Sequence, residues 1–281
     1  MTFITNYLEE GVIGDKGENV VIYRINYDKE FVASFTKCLM EKLSIPISDR
    51  ISATKEKRGR KTDIIIFDDQ NNRIGLSLKT RKPGRPDDHL DRRWLDKDGP
   101  LCLSWKKILK MPENVFESFK KGLMEKARNT NVDLIRQEDQ PIIKEFLLSN
   151  LHRLLEEVFR RDETRLQLFA VLEYEKEKSL YVFRMDDIIE FVEKNVKDSG
   201  IKFGRVIMLG EFLWLQRKAG DGKHIDAKLP KTHPDHPGNQ IQVKVLPIEL
   251  MKAAVKCLSY CKFEIPTGLS IPKNNLEKWL T

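Results

Sequence analysis

The sequence predicts an α/β (α+β) fold, a mixed central β-sheet flanked by helices. Three observations carry that expectation. Two isoleucine-rich runs, 64–67 and 74–78, have the length and composition of strands. Longer segments, among them 30–44 and 139–161, repeat their apolar residues every three or four positions, as helices do. The chain has 281 residues, 40% of them hydrophobic and 33% charged. It is apolar enough to bury a core and too charged for a membrane protein.

The elements follow in order. Residues 30–44 place Phe31, Val32, Phe35, Cys38, Leu39 and Leu43 at helical spacing. A polar, basic stretch of turn composition comes next. The runs 64–67 and 74–78 flank Asp68-Asp-Gln-Asn-Asn72 and read as a β-hairpin. Residues 80–100 are irregular, broken by Pro83, Gly84, Pro86, Gly99 and Pro100, with room for a short helix over 87–95. Amphipathic helices are predicted at 113–128 and 139–161, the second opening on Asp139-Gln-Pro141. Strand-like runs at 166–174 and 180–185 precede a helix over 186–196. Strands over 205–216 and 240–246 and a helix over 247–261 follow. A polar loop, 219–239, holds His224, His233 and His236 and is long enough to suggest a function. A boundary near 129–140 divides the chain into 1–130 and 131–281.

The net charge of +7 is uneven. Residues 51–130 carry 20 basic and 12 acidic side chains, 131–200 carry 11 and 16, and 201–281 carry 13 and 7. Two basic regions around an acidic middle point to a polyanionic partner. No apolar run approaches the roughly 18 residues of a membrane span, and the first residues lack the pattern of a secretory signal. A cytoplasmic protein is expected. Cys38, Cys102, Cys257 and Cys261 do not suggest a disulfide framework or a zinc site. Cys257 and Cys261, four residues apart, read as half-buried helix positions. The loop histidines match no zinc spacing.

The chemistry concentrates in 59–82. Asp63 opens the first hairpin strand, and Ser77 and Lys79 share one face of the second because side chains alternate along a strand. A hairpin can bring a carboxylate, a hydroxyl and an ammonium together at one sheet edge between strongly basic flanks. Hydrolysis of a phosphodiester uses such groups: a carboxylate to hold Mg²⁺ and a lysine to stabilise the anion or orient water. Singly, each residue also has a plain structural reading, as a turn cap, a packing residue or a surface lysine.

Helix, basic loop, Thr62-Asp-Ile-Ile-Ile66, turn, and Gly75-Leu-Ser-Leu-Lys79 together resemble the PD-(D/E)xK nuclease superfamily, and within it the type II restriction endonucleases. The resemblance covers roughly residues 30–95. It implies a restriction-endonuclease-like core followed by a C-terminal β-rich recognition region. It implies that Asp63 is the first metal-binding aspartate, that Lys79 is the catalytic lysine, and that the Leu78 backbone carbonyl also meets the metal. Thr62 stands where the family often has proline. Ser77 stands where it has an acid, so one negative charge must come from elsewhere. Asp91, twelve residues after Lys79, and Glu30, at the start of the first predicted helix, are the candidates. The activity implied is Mg²⁺-dependent cleavage of double-stranded DNA by a homodimer. The alternatives are a structure-selective repair or junction nuclease, and a nucleic-acid-binding protein with a degenerate core. RNA as a substrate stays open.

The flanks supply candidate DNA contacts at Lys57, Arg58, Arg60 and Lys61, and at Arg81, Lys82 and Arg85. In the C-terminal part, Gln216, Arg217, Lys218, Asn239, Gln240 and Gln242 are residue types that read base edges. Gln216-Arg-Lys218 is also a rival Gln-x-Lys nuclease strand, with Asp198 as the nearest upstream acid.

Overall fold

The computed structural model describes residues 13–56, 60–80, 88–99, 102–161, 163–173, 178–218 and 229–265, with side chains from residue 17 onward. In chain order the elements are α1 (Ile13–Tyr27), α2 (Lys29–Leu43), β1 (Ile51–Lys55), β2 (Ile64–Asp68), β3 (Arg73–Thr80), β4 (Asp88–Arg93), α3 (Trp105–Ile108), α4 (Glu113–Arg128), α5 (Gln140–Ser149), α6 (Leu151–Phe159), β5 (Leu166–Glu173), β6 (Ser179–Arg184), α7 (Met185–Ser199), β7 (Ile201–Lys202), β8 (Ile207–Leu209), β9 (Leu213–Arg217), β10 (Ile241–Val245), α8 (Pro247–Ala254) and β11 (Cys261–Glu264). The mixed α/β architecture expected from the sequence is the one observed. The chain forms two compact units. One holds residues 1–88, 160–188 and 247–281, and the other 89–159 and 189–246. The division is interleaved, so a single boundary at 130 does not describe it.

The first unit is built on a six-stranded sheet in the order β1-β2-β3-β5-β6-β11. Only β3 and β5 pair in parallel. β3 is buried along most of its length, as suits a central strand covered on both faces. One sheet face packs Ile64, Ile66, Ile74, Leu76 and Leu78 against Val21, Ile25, Phe35 and Leu39. Helix α1 lies on β1 and β3, and α2 lies on β11. Helix α2 forms where the spacing predicts it. Asp28 caps it by accepting from the Phe31 N–H at 3.0 Å, and Phe31, Phe35, Leu39 and Leu43 make its buried stripe. The β2–β3 turn is the predicted one. Asp68 accepts from the N–H groups of Gln70 and Asn72 and from the Asn72 side chain.

Two sequence expectations change here. The helix over 247–261 stops at Ala254, and Cys261 lies in β11. There it forms a disulfide with Cys38 of α2, 223 residues away in sequence. Cys257 is exposed and free.

The second unit carries a five-stranded sheet, β4-β10-β9-β8-β7. Residues 87–95, expected as a helix, contain strand β4. The cause is tertiary. Arg93 is 1% exposed and donates through Nε and Nη2 to Asp91 Oδ2 at 3.1 and 2.8 Å, and through Nη2 to Glu157 of α6. Its guanidinium stands 5.1 Å from the Trp105 ring centroid. The predicted helix 139–161 is interrupted at Asn150, giving α5 and α6. The strand over 205–216 is a hairpin, β8 and β9.

Candidate active site

Strand alternation and the observed register set the site. The core-facing residues of β2 and β3 are Ile64, Ile66, Ile74, Leu76 and Leu78. The opposite face therefore carries Ile65, Gly75, Ser77 and Lys79. Ile64 faces Leu76 in the ladder, and the Asp63 N–H also donates to the Leu76 carbonyl at 3.0 Å. Two residues thus oppose one, the arrangement of a β-bulge, which re-aims a side chain. Asp63 Oδ2 accepts from the Leu78 N–H at 2.7 Å and the Ser77 hydroxyl at 3.2 Å. Asp63 Oδ1 has no partner among the described residues. Asp63, Ser77 and Lys79 are brought together as the sequence suggested.

Lys79 is half-buried. Burial works against its charge, but the carboxylates of Asp63, Asp88 and Glu18 outweigh that and hold its ammonium above the ordinary lysine range. Glu18 and Asp88 were not among the sequence candidates. Glu18 reaches the site because α1 crosses β3 closely. A Cβ on Gly17 would stand 2.6 Å from Thr80 Oγ1 and 3.1 Å from Leu172, so only glycine permits the approach. Glu18 is also paired with Lys55 of β1 at 2.6 Å. The available signal was the spacing of Val21, Ile22 and Ile25, which marks a helix one turn beyond an acid.

The two acids expected to replace the missing charge sit elsewhere. Asp91 is buried in the second unit with its carboxylate bonded to Arg93. Glu30 is exposed in the first turn of α2, the helix that packs on β11 at the far edge of the sheet from β1. Neither is among the carboxylates acting on Lys79.

The candidate DNA contacts divide similarly. Lys57, Arg58, Arg81, Lys82 and Arg85, with His224, lie outside the described residues. Arg60 is exposed, whereas Lys61 is 8% exposed. Glu163 accepts from the Lys61 N–H at 2.7 Å and from the Thr62 N–H and hydroxyl at 2.9 and 2.7 Å. Arg217 and Asn239 are 4% and 3% exposed. Arg217 Nε donates to Asn239 Oδ1 at 2.8 Å, and the Asn239 amide donates to the Lys231 and His233 carbonyls. They brace the long loop and present no edge to a base. Gln216, Lys218, Gln240 and Gln242 are half-exposed. Gln216 donates to Gln242 across the strands at 3.1 Å and accepts from Trp214 Nε1 at 3.1 Å. Burial and then the charge of Arg92 push the Lys218 ammonium below the ordinary lysine range. For the rival nuclease strand 216–218, the nearest upstream acid, Asp198, is an exposed residue of α7.

The oxygen donors suit Mg²⁺, which takes one or two carboxylates and keeps water and phosphate oxygens for the rest. Among the described residues no three His, Cys, Asp or Glu side chains converge as a metal cage.

The fold is mixed α/β, and it groups a carboxylate, a hydroxyl and an ammonium on one face of the β2–β3 hairpin. The chain is similar to restriction endonuclease MspI in the crystal structure of its complex with cognate DNA. The TM-score is 0.52 at 12% identity, covering 83% of this chain and 91% of that one. The likeness is one of fold. No protein-family model and no curated protein sequence matches the chain. No helix of the described residues is long and apolar enough to cross a membrane.

Proposed function

We propose that the protein is a Mg²⁺-dependent endonuclease that hydrolyses phosphodiester bonds in double-stranded DNA at a specific sequence, in the manner of a type II restriction enzyme. The observation that carries this reading is the convergence of the Asp63 carboxylate, the Ser77 hydroxyl and the Lys79 ammonium on one face of the β2–β3 hairpin. A fold shared with a restriction endonuclease supports it.

Asp63 Oδ1, with the Leu78 carbonyl, would hold the metal. When bound, Mg²⁺ neutralises phosphate charge and makes its water more acidic. Lys79 stays protonated, so it acts as a donor and a positive charge toward the phosphate or the attacking water. Glu18 and Asp88 take the charge-supplying part for which Asp91 and Glu30 were the candidates. The half-exposed face of β9 and β10, with Gln216, Gln242, Gln240 and Lys218, is the surface proposed to read base edges. Arg60 contacts the backbone. Cutting both strands of a palindromic site requires two copies, hence a homodimer.

The test is digestion of mixed genomic or phage DNA with Mg²⁺ by wild type, Asp63→Ala and Lys79→Ala. Discrete bands from wild type alone are expected. Cleavage surviving both substitutions refutes the site. Salt-dependent binding without cleavage selects the second reading, a DNA-binding protein with a degenerate core, which Ser77 in place of an acid favours.

A further inference from the structure

Beside the Asp63–Ser77–Lys79 group, within the same unit, lies a cleft of about 430 Å³. Ile65 and Thr62 form part of its lining, and Arg60, Thr164 and Arg165 stand along it. Its position follows from the register. Ile65 faces Gly75, which precedes Ser77 by two residues on the same face of β3. Two residues of strand span about 6.8 Å, close to one nucleotide step along a DNA backbone. A strand with one phosphate over the Asp63–Ser77 end of the group therefore brings a neighbouring phosphate to this cleft.

The lining suits that occupant. Arg60 and Arg165 are exposed, and neither guanidinium has an ion-pair or hydrogen-bond partner among the described residues. A guanidinium fork matches a phosphate in shape and charge. Two glutamates also line the cleft. The Glu163 carboxylate already accepts three hydrogen bonds from Lys61 and Thr62. Its charge anchors the wall and does not face an incoming anion alone. Glu56 is the other, so the lining carries two arginines and two glutamates. The wall is fixed: the Gly75 N–H donates to the Arg165 carbonyl at 2.6 Å, and a Cβ at Gly75 would lie 2.8 Å from Thr62 Oγ1 and 3.0 Å from that carbonyl. Arg165 is thus held at a set distance from Ser77, with its side chain free.

We infer that this cleft is a backbone subsite, in which Arg60 and Arg165 take the phosphodiester one nucleotide away from the one cleaved. The inference rests on the nuclease reading for the identity of the strand, and its test is made without Mg²⁺ so that binding is judged apart from cleavage. Labelled duplex DNA is titrated with wild type, Arg60→Ala, Arg165→Ala and the double variant at several salt concentrations. Each single substitution should weaken binding about three- to tenfold, and the double variant should reduce the slope of log K against log salt by about 0.9, the share of one phosphate. Duplexes carrying one neutral methylphosphonate linkage, stepped along the strand, should bind wild type weakly at one position adjacent to the cut, and the double variant should be indifferent to that position. Unchanged slope and affinity in the double variant overturn the inference, as does an equal penalty at every linkage. If wild type binds but never cleaves, the nuclease reading falls, while a single sensitive linkage silenced by the double variant still upholds the subsite. If wild type does not bind DNA, both fall.

Discussion

Replacing Glu163 with alanine is the most informative perturbation, because its carboxylate holds the segment that delivers Asp63. Three donors meet it, at 2.7, 2.9 and 2.7 Å, from Lys61 and Thr62. Hydrogen bonds to a charged acceptor contribute about 1.5–3 kcal/mol each. Glu163 is half-buried, so water reaches part of what alanine exposes, and the net stability loss should be about 1–3 kcal/mol in all. At about 2–4 °C per kcal/mol for a chain of this size, Tm falls by several degrees. The kinetic effect should be larger. Asp63 follows Thr62 directly, and a shift near 1 Å in a reacting group costs on the order of a hundredfold in rate. Single-turnover cleavage should therefore drop about 10- to 100-fold. Metal-free DNA affinity should fall by less than the rate, because Arg60 and Arg165 keep their charges when the wall between them loosens. Glu163→Gln, which retains one accepting oxygen, should fall between. The assay pairs single-turnover cleavage with calorimetric titration of Mg²⁺. A variant with wild-type rate and wild-type Mg²⁺ affinity would refute the reasoning, as would a rate loss no larger than the loss of folded protein.

Three further outcomes are expected. Arg93→Ala leaves Asp91 and Glu157 buried without their cation, so urea unfolding should report a loss of about 3–5 kcal/mol; a loss under 1 kcal/mol contradicts the triad. Reducing the Cys38–Cys261 bridge, or replacing Cys38 with serine, should cost about 2–4 kcal/mol, and reductant should leave the Tm of the serine variant unmoved. The raised pKa of Lys79 keeps its charge through neutral and mildly alkaline solution, so loss of cleavage through its deprotonation should have its midpoint above the ordinary value of 10.5. A break in the pH–rate profile near 8 that Lys79→Arg abolishes would contradict this assignment.

The hairpin was legible because its information is local. Alternation, isoleucine content and a polar Asp68–Asn72 turn fix register and face with no help from afar. The same locality explains the misreadings. Strand β4 has a charged sequence that fits a surface helix until Glu157, 64 residues later, completes a buried triad. Arg217 and Asn239 have the chemistry of base readers, and only their burial shows that they hold a loop. Glu18 depends on the close crossing allowed by Gly17. The disulfide partner of Cys261 could not be chosen from spacing at all.

The parallel pairing of β3 with β5 bears on how the molecule is made. Register partners Lys79 and Val171 are hydrogen-bonded neighbours in the sheet, yet the second unit's residues 89–159 are translated between them. On the ribosome β3 emerges as an unsheltered edge carrying buried-type side chains, and it stays so until residue 173 has left the tunnel. Cutting the gene after codon 130 would freeze that nascent state permanently. The fragment would contain every residue of the Asp63–Lys79 group and would precipitate.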